Sequence, residues 1–319
     1  MTRLDPTDVR TYRAIFSIGV QTGTIRINDP IHLKLLDSLS DCQLVLYAAL
    51  ESYLAADFQR IYEFLARFQT LYKNRNTEDD DQAFTVNYFN FLSQLIQGEG
   101  LGNDVARPAV PLYHVGDSHC LSFAHRRLRF VNDEYVVKPL ITFGTKAYHL
   151  SVPRDNQYKA ITKYNLKRVS KNSRIMFSFG EIDCRYQEGI LLHNRKTERP
   201  IDAIVRETVS GYCSWVERNT PGGCQKIFVA VPPPIERTLY SKKQNAQVAS
   251  VVREFNAQLQ HLSGGLADAH FLDTYHTMAK SDGHAFPNLH CDETHLSSSA
   301  WTVVSRSLLE YFNNFEQQQ

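Results

Sequence analysis

From residue 109 onward, short apolar runs alternate with longer amphipathic segments, and this alternation constrains the fold more than any other feature of the chain. Short apolar runs bounded by turn residues are typical of buried strands, and segments of helical periodicity are typical of helices. The predicted strands are 109–115, 136–144, 174–180, 226–231 and 270–274, and the predicted helices are 119–130, 201–219, 243–262 and 297–312. Strands separated by helices favour a parallel sheet with helices on both faces. We therefore predict an α/β domain over residues 109–319.

The loops that follow the predicted strands contain the residues of greatest chemical interest. In open parallel sheets, functional groups gather in the loops beyond the carboxyl ends of the strands. Ser118, Gly144, the segment at Gly180 and the segment from Pro232 all fall there. Ser118 lies in HVGDSHCLSF (114–123), between a strand and a predicted helix, so its own N–H and the helix dipole would point at whatever its hydroxyl attacks. Taken alone, this motif suits a nucleophilic serine and a helix-capping serine equally well.

A second polar motif, CDETHLSSS, stands near the other end of the chain and contains Asp292 and His295. Nucleophilic acyl transfer needs a hydroxyl, an imidazole that takes its proton and an acid that orients the imidazole. An Asp-x-x-His step brings both side chains to one face of a tight turn, which leaves the imidazole free to reach the serine. The residues therefore predict a catalytic triad of Ser118, His295 and Asp292.

The order of these motifs resembles that of the SGNH or GDSL-type serine hydrolases. The first family block is matched by GDS at 116–118, and the last by DETH at 292–295. The second block supplies a glycine, for which Gly144 in TFGTKAYHL is the candidate. The third block, usually Gly-x-Asn-Asp, reads GEID at 180–183. The resemblance spans about residues 110–312 and leaves the first 108 residues uncovered.

The resemblance implies a fold and a chemistry. The fold is a three-layer αβα sandwich around a five-stranded parallel, flavodoxin-like sheet, and the chemistry is ester hydrolysis through an acyl-serine. It implies Ser118 as the nucleophile, His295 as general base and then general acid, and Asp292 as the residue that orients the imidazole. The backbone N–H groups of Ser118 and Gly144 would then stabilise the oxyanion.

The third block departs from the family pattern, because Ile182 stands where the family has its oxyanion asparagine. Loss of one such donor typically costs about 2.7–4 kcal/mol of transition-state stabilisation. We interpret the chain as a variant with a GEIDCR third block, in which Arg185 is a replacement cation held by Glu181 or Asp183. The other predicted oxyanion-hole or substrate-binding residues are Asp117, His119 and Gly180. A buried ion pair of Glu181 or Asp183 with Arg185, kept for structural reasons, stays open as an alternative.

Plainer interpretations of the triad residues also exist. Ser118 is a residue type that caps helices, so it can be an N-cap, with or without a catalytic role. Asp292 and His295 can form an ordinary ion pair in a loop. The presence of both motifs in one chain favours the catalytic interpretation over either of these.

A metal site is the other interpretation of the C-terminal motif. The segment HAFPNLHCDETH also holds His284, His290 and Cys291. Zinc sites use tetrahedral ligand sets at familiar spacings, and the HExxH and paired CxxC patterns are absent from this chain. We therefore predict no metal and no cofactor.

Residues 1–108 have the pattern of a separate helical domain or cap. Between 38 and 98, apolar residues recur at steps of three and four, and Asp57 is placed to cap a second helix and so divide the run into a helix pair. A third helix is marked by Phe84, Tyr88, Phe91 and Leu95. The pair weakly resembles one tetratricopeptide-type repeat, without a second copy. The glycines and proline of 97–108 predict a linker.

The composition of the chain limits the kinds of partner and the location that we expect. Lys and Arg number 35 against 34 Asp and Glu, so nothing favours nucleic acid, which selects basic surfaces. The chain has no stretch near the roughly 20 apolar residues of a membrane span, and its first 20 residues lack the apolar core of a secretory signal. Six scattered cysteines without a CxxC pair predict reduced thiols. We therefore expect a cytoplasmic protein.

These observations predict a serine esterase that removes a short acyl group, most simply acetyl, from a polar substrate such as a small-molecule or glycan ester. The acetyl and carbohydrate parts come from the family resemblance and from the polar loops at the strand ends. An O-acyltransferase that uses the same triad is one alternative. A non-catalytic binding module, whose helical N-terminal region contacts a protein partner, is another. Ile182 supports that module, and the intact Ser118, Asp292 and His295 oppose it.

Overall fold

The computed structural model describes residues 9–26, 29–73, 81–97 and 107–316. The chain divides into two compact units, Met1–Ala106 and Arg107–Gln319. Within the described ranges, no helix combines the length and the apolar composition that crossing a bilayer requires. The six cysteines all lie in these ranges and are free thiols.

The described part of the first unit is helical. Its elements are α1 Val9–Thr22, α2 Pro30–Leu39, α3 Cys42–Leu54, α4 Phe58–Lys73 and α5 Asp81–Gln97. The predicted division at Asp57 is confirmed, because its carboxylate accepts the Arg60 N–H at 3.3 Å at the start of α4. The predicted third helix is α5, with Phe91 and Leu95 buried. Most of the predicted linker, 98–106, lies outside the described residues.

The second unit is built on one sheet. Its strands are β1 Val110–Gly116, β2 Arg127–Phe130, β3 Asp133–Ile141, β4 Arg174–Ser178, β5 Gln225–Val229 and β6 Ala269–Leu272. They lie in the order β2-β3-β1-β4-β5-β6, and every neighbouring pair is parallel except β2 and β3, which are antiparallel. The predicted α/β class is confirmed, but the sheet has six strands rather than five.

The extra strand corrects the helix that was predicted over 119–130. The chain instead makes a short 3-10 turn at Ser118–Leu121, and β2 follows it after a further turn. Residues 127–130 alternate polar and apolar side chains, and Leu128 and Phe130 are buried. A tight turn through Val131, whose φ is +52°, then brings β3 back alongside. The apolar residues of segment 127–130 suit either a helix or a strand, and its pairing with β3 makes it a strand.

Helices cover both faces of the sheet. They are α6 Ala147–Ser151, α7 Gln157–Leu166, α8 Glu181–Cys184, α9 Gly189–Thr197, α10 Ile201–Asn219, α11 Lys242–Ser263, α12 Tyr275–Met278 and α13 Trp301–Glu316. The predictions for 201–219 and 243–262 are confirmed by α10 and α11. Ile175 and Phe177 of β4 face a core that α10 and α11 complete, whereas Met176 faces a core completed by α13. Such two-sided burial explains why the parallel strands are nearly continuous apolar runs.

The parallel strands end along one edge of the sheet, and the loops beyond that edge carry the predicted site. β1 leads to Ser118, β3 to Gly144 and β4 to Gly180. Gly116, at the end of β1, has no room for a side chain, because a Cβ there would lie 2.4 Å from the Ser178 hydroxyl oxygen. The first and third loops therefore start in close contact.

Candidate active site

The three predicted triad residues form a continuous hydrogen-bonded chain. The Ser118 Oγ lies 2.8 Å from Nε2 of His295, and Nδ1 of His295 lies 2.7 Å from Oδ2 of Asp292. Ser118 and His295 are 177 residues apart in sequence, and both are buried, with 5% and 7% of their surfaces exposed. The fold thus brings the two motifs together at the carboxyl edge of the sheet.

The Asp292 carboxylate determines which His295 nitrogen carries the proton. Its Oδ1 accepts the backbone N–H groups of Thr294 and His295, at 2.7 and 2.6 Å. Burial favours a higher pKa for Asp292, but hydrogen bonding and charge interaction with His295, together with these N–H groups, lower it to about 2. Because a carboxylate only accepts hydrogen bonds, His295 donates through Nδ1. Its Nε2 is then the nitrogen that accepts the Ser118 hydroxyl proton.

The turn at Ser118 is capped by Asp117. The Asp117 Oδ1 accepts the backbone N–H of His119 at 3.0 Å, so Asp117 performs the capping that was considered for Ser118. The Ser118 hydroxyl is directed to His295 instead. Because the turn is a four-residue 3-10 segment, the predicted contribution of a helix dipole is absent, since such a dipole needs many aligned peptide units.

Gly144 lies in an open position on a loop that is held from two sides. Its φ is +64°, and a Cβ there would meet no atom within 4 Å. At the β3 end, the Thr142 N–H donates to the Gly116 carbonyl at 2.8 Å. On the other side, the Asp183 carboxyl accepts the N–H groups of Ala147 and Tyr148 at 2.7 and 3.0 Å. The loop therefore presents an exposed glycine backbone next to anchored helix α6.

The third block contains Gly180 at a position that other residues would strain. Its φ is +130°, and a Cβ would lie 2.6 Å from the Phe255 ring. Ile182, two residues later, is buried and offers no polar side chain. The side chain at position 182 therefore cannot donate a hydrogen bond to an oxyanion.

The two acidic residues of this block have different partners. Glu181 accepts from Arg185 in a bidentate contact, with distances of 2.7–3.0 Å, and Glu188 accepts at 3.3 Å. Burial favours a lower pKa for Arg185, but the charge of Glu181 raises it above its usual range. Asp183 instead caps α6, which corrects its predicted contact with Arg185. The oxyanion role of Arg185 stays a prediction, and its Nε, Nη1 and Nη2 all donate to carboxylates.

His119 bridges the two halves of the site. Its Nδ1 lies 3.0 Å from Oδ1 of Asp117, and its Nε2 lies 3.1 Å from the carbonyl oxygen of Thr294. Its ring centroid is 5.3 Å from that of His295. Sequence reasoning placed His119 at the pocket but missed Thr294, whose backbone, not its side chain, makes the contact.

A further buried pair lies beneath the site and was also missed. The Nε2 of His114 on β1 lies 2.8 Å from the Ser178 Oγ on β4. Burial, with a smaller contribution from the charge of His119, lowers the pKa of His114 to about 3. His114 is therefore a neutral side chain that joins two adjacent strand ends. Its place in HVGDSH was the available signal.

Three cavities lie near these loops. One of about 20 Å³ is formed at the ends of β4 and β5 by His119, Ser178, Phe179, Glu181 and residues 229–232. One of about 30 Å³ is lined by residues that include Arg185, Arg237, Tyr240 and Thr294. The third, of about 460 Å³, lies beside α6, α9 and α10.

The histidines and the cysteine that suggested a metal site do not form a metal-binding cluster. His284 lies 3.4 Å from Asp282, and the Cys291 thiol is directed to the carbonyl oxygens of His295 and Leu296. Across the described ranges, no group of three or more His, Cys, Asp or Glu side chains is close enough to hold a metal ion.

No protein-family model matches this chain, and no curated protein matches its sequence. A solved protein from Streptococcus pneumonia, provisionally named a platelet activating factor, is 14% identical, with a TM-score of 0.45, over 73% of this chain and 99% of that one. A provisional acylhydrolase from Bacteroides fragilis is 14% identical, with a TM-score of 0.43, over 66% and 92%. A provisional arylesterase from Agrobacterium tumefaciens is 17% identical, with a TM-score of 0.38, over 64% and 99%. Similarity at this level transfers no activity to this chain.

Proposed function

We propose that this protein is a serine esterase of the SGNH type, with Ser118 as its nucleophile, His295 as its base and Asp292 as the orienting acid. One observation carries the proposal: the Ser118 hydroxyl lies 2.8 Å from Nε2 of His295, whose Nδ1 donates to Asp292. A nucleophilic serine needs such an imidazole, and the imidazole needs a third group that orients it.

The reaction follows from this arrangement. The Ser118 Oγ attacks the ester carbonyl carbon while its proton passes to Nε2 of His295, and the carbonyl oxygen becomes an oxyanion. The N–H groups of Ser118 and Gly144 are the proposed donors to that oxyanion. When the intermediate collapses, His295 returns the proton to the departing alcohol and an acyl-Ser118 remains. Water, deprotonated by the same imidazole, then releases the acid and restores the serine.

The cavity next to His119 supports a short acyl group. Its volume is about 20 Å³, and a single water needs about 10–15 Å³ by the same measure. A group the size of the acetyl methyl fits such a space, which adjoins His119, the residue after Ser118. We therefore propose acetyl esters as the substrate class.

The neighbouring cleft supports a polar alcohol component. The rings of Tyr186 and Tyr240 lie 5.4 Å apart there, and Arg237 donates to the Thr294 hydroxyl at 3.2 Å. Aromatic faces beside charged and hydroxyl groups suit a carbohydrate or another polyol. A glycan or small-molecule ester is thus the proposed substrate.

The finer architecture belongs to the same proposal. We assign residues 109–319 to a three-layer αβα hydrolase domain, in which the antiparallel β2 is added to five parallel strands. We assign residues 1–108 to a helical domain or cap that contacts a protein partner. A cytoplasmic location and independence from a cofactor stay predictions.

Labelling with a fluorophosphonate, read by intact mass, tests the proposal because the probe reacts with activated serines. We expect one adduct on the native chain, none on Ser118→Ala, and much slower labelling of His295→Ala. His276→Ala is the matched control, since His276 pairs with Asp273 at 2.6 Å on the surface and should leave labelling unchanged. A folded native chain that takes no label would refute the esterase and favour the binding module.

The products formed during turnover then distinguish ester hydrolysis from acyl transfer to a sugar. p-Nitrophenyl acetate should be cleaved at least tenfold faster than the octanoate if the small cavity holds the acyl group. Adding a sugar acceptor should leave free acetate as the main product. Acetylated sugar as the main product would instead identify an O-acyltransferase.

A further inference from the structure

Both ring nitrogens of His119 face hydrogen-bond acceptors. Its Nδ1 meets the Asp117 carboxylate at 3.0 Å, and its Nε2 meets the Thr294 carbonyl oxygen at 3.1 Å. A carbonyl oxygen and an ionised carboxylate can only accept, so each nitrogen must carry a proton. This geometry describes an imidazolium ion.

The surroundings of His119 agree with a positive charge. Burial alone would lower its pKa, but the charge of Asp117, the hydrogen bond to it and the charge of Glu181 raise it to about 9. Burial likewise favours a higher pKa for Asp117, and the charge and hydrogen bonds of His119 bring it below its ordinary value. The pair is therefore a buried carboxylate and imidazolium.

Two other histidines face this ion from the C-terminal loop. Burial and then the charge of His119 lower the pKa of His290 to about 4, which leaves that side chain neutral. The ring of His295 is 5.3 Å from the ring of His119. Arg185 lies behind Glu181, which it neutralises. His119 is thus a positive charge placed beside the proposed catalytic base.

We propose that His119 is a positioning residue that ties the nucleophile turn to the base turn and, as a fixed cation, offsets the negative charge of Asp117 beside His295. The inference rests on the proposed function. The bond to the Thr294 carbonyl holds the peptide next to His295, and the bond to Asp117 holds the residue before Ser118. A like charge about 5 Å away disfavours protonation of an imidazole.

The test compares pH–rate profiles of the full chain. His119→Gln keeps a side chain that can hydrogen-bond but removes the cation and exposes His295 to Asp117. The acid limb of kcat/KM should move upward by about one pH unit, so the rate at pH 5.5 should fall several-fold, and at most about tenfold, further than the rate at pH 8.5. The double variant Asp117→Asn/His119→Gln removes both charges, and its acid limb should return most of the way. His276→Gln should leave the profile unchanged.

A second measurement does not depend on turnover, and its first part needs only the native chain. Imidazole ¹⁵N NMR of the native chain should show both nitrogens of His119 protonated at pH 8. In the His119→Gln variant, the ¹⁵N titration midpoint of His295 should rise with the acid limb. A neutral His119 at pH 8, or a His295 midpoint that does not move, would overturn the inference. Failure of the proposed esterase function would be seen separately, because the native chain would then take no fluorophosphonate label.

Discussion

Asp183 anchors the loop that presents Gly144, and its substitution by asparagine tests that anchor. Its two carboxyl oxygens accept the first N–H groups of α6, at 2.7 and 3.0 Å, and the side chain is 1% exposed. An asparagine has one acceptor oxygen, so one buried N–H would face an amide NH₂ instead. Leaving such a donor unsatisfied costs about 1–3 kcal/mol.

The structure also predicts how this cost depends on pH. Burial raises the pKa of Asp183 from 3.8 to about 7, although the two N–H groups oppose the shift. The folded chain therefore binds this proton more tightly than the unfolded chain, and the free energy of unfolding falls as pH rises from about 4 to 7. A difference of this size corresponds to roughly 4 kcal/mol at 1.36 kcal/mol per pH unit. The D183N variant, which cannot ionise, should lack this part of the pH dependence.

Urea denaturation between pH 4.5 and pH 7.5, followed by tryptophan fluorescence, measures the effect. Both tryptophans, Trp215 and Trp301, lie in the second unit and report its unfolding. D183N should be less stable than the native chain at pH 4.5, and its deficit should shrink or reverse by pH 7.5. Asp202→Asn, at an exposed surface pair, is the control that should track the native chain. A constant difference between D183N and the native chain across this range would show that Asp183 is ionised throughout and that the reasoning is wrong.

Two other predictions concern the site directly. Asp292→Asn should lower kcat by roughly three to four orders of magnitude, because an amide favours the wrong His295 tautomer. Initial rates with p-nitrophenyl acetate measure this loss. A loss below tenfold would show that Asp292 has no role in the mechanism. Gly180→Ala should cost at least about 2 kcal/mol in the urea assay, since it combines a φ of +130° with a Cβ 2.6 Å from the Phe255 ring. Gly222→Ala, where a Cβ would meet no atom within 4 Å, should stay within about 0.5 kcal/mol of the native chain, and equal effects at the two glycines would contradict the steric argument.

Much of the fold follows from local patterns. The helices α10 and α11 show helical periodicity over their whole lengths, and the apolar runs of β4 and β5 are bounded by turn residues. Such patterns depend on a few neighbouring residues, so they can be interpreted without tertiary contacts. The segment 127–130 is different, because its state depends on pairing with β3. An edge strand of four residues carries too little local signal.

The sequence by itself determined which chemical groups are available and at which strand ends they stand. It placed a serine after β1, a glycine after β3, and an Asp-x-x-His step near the C-terminus. Only the tertiary structure decided how they meet. The 2.8 Å contact between Ser118 and His295 spans 177 residues. That Glu181 rather than Asp183 binds Arg185, and that Asp183 caps α6, likewise depends on side-chain direction within a turn. The charge of His119 is also a tertiary property, since protonation depends on acceptors brought from Asp117 and from the backbone of Thr294, a residue 175 positions away.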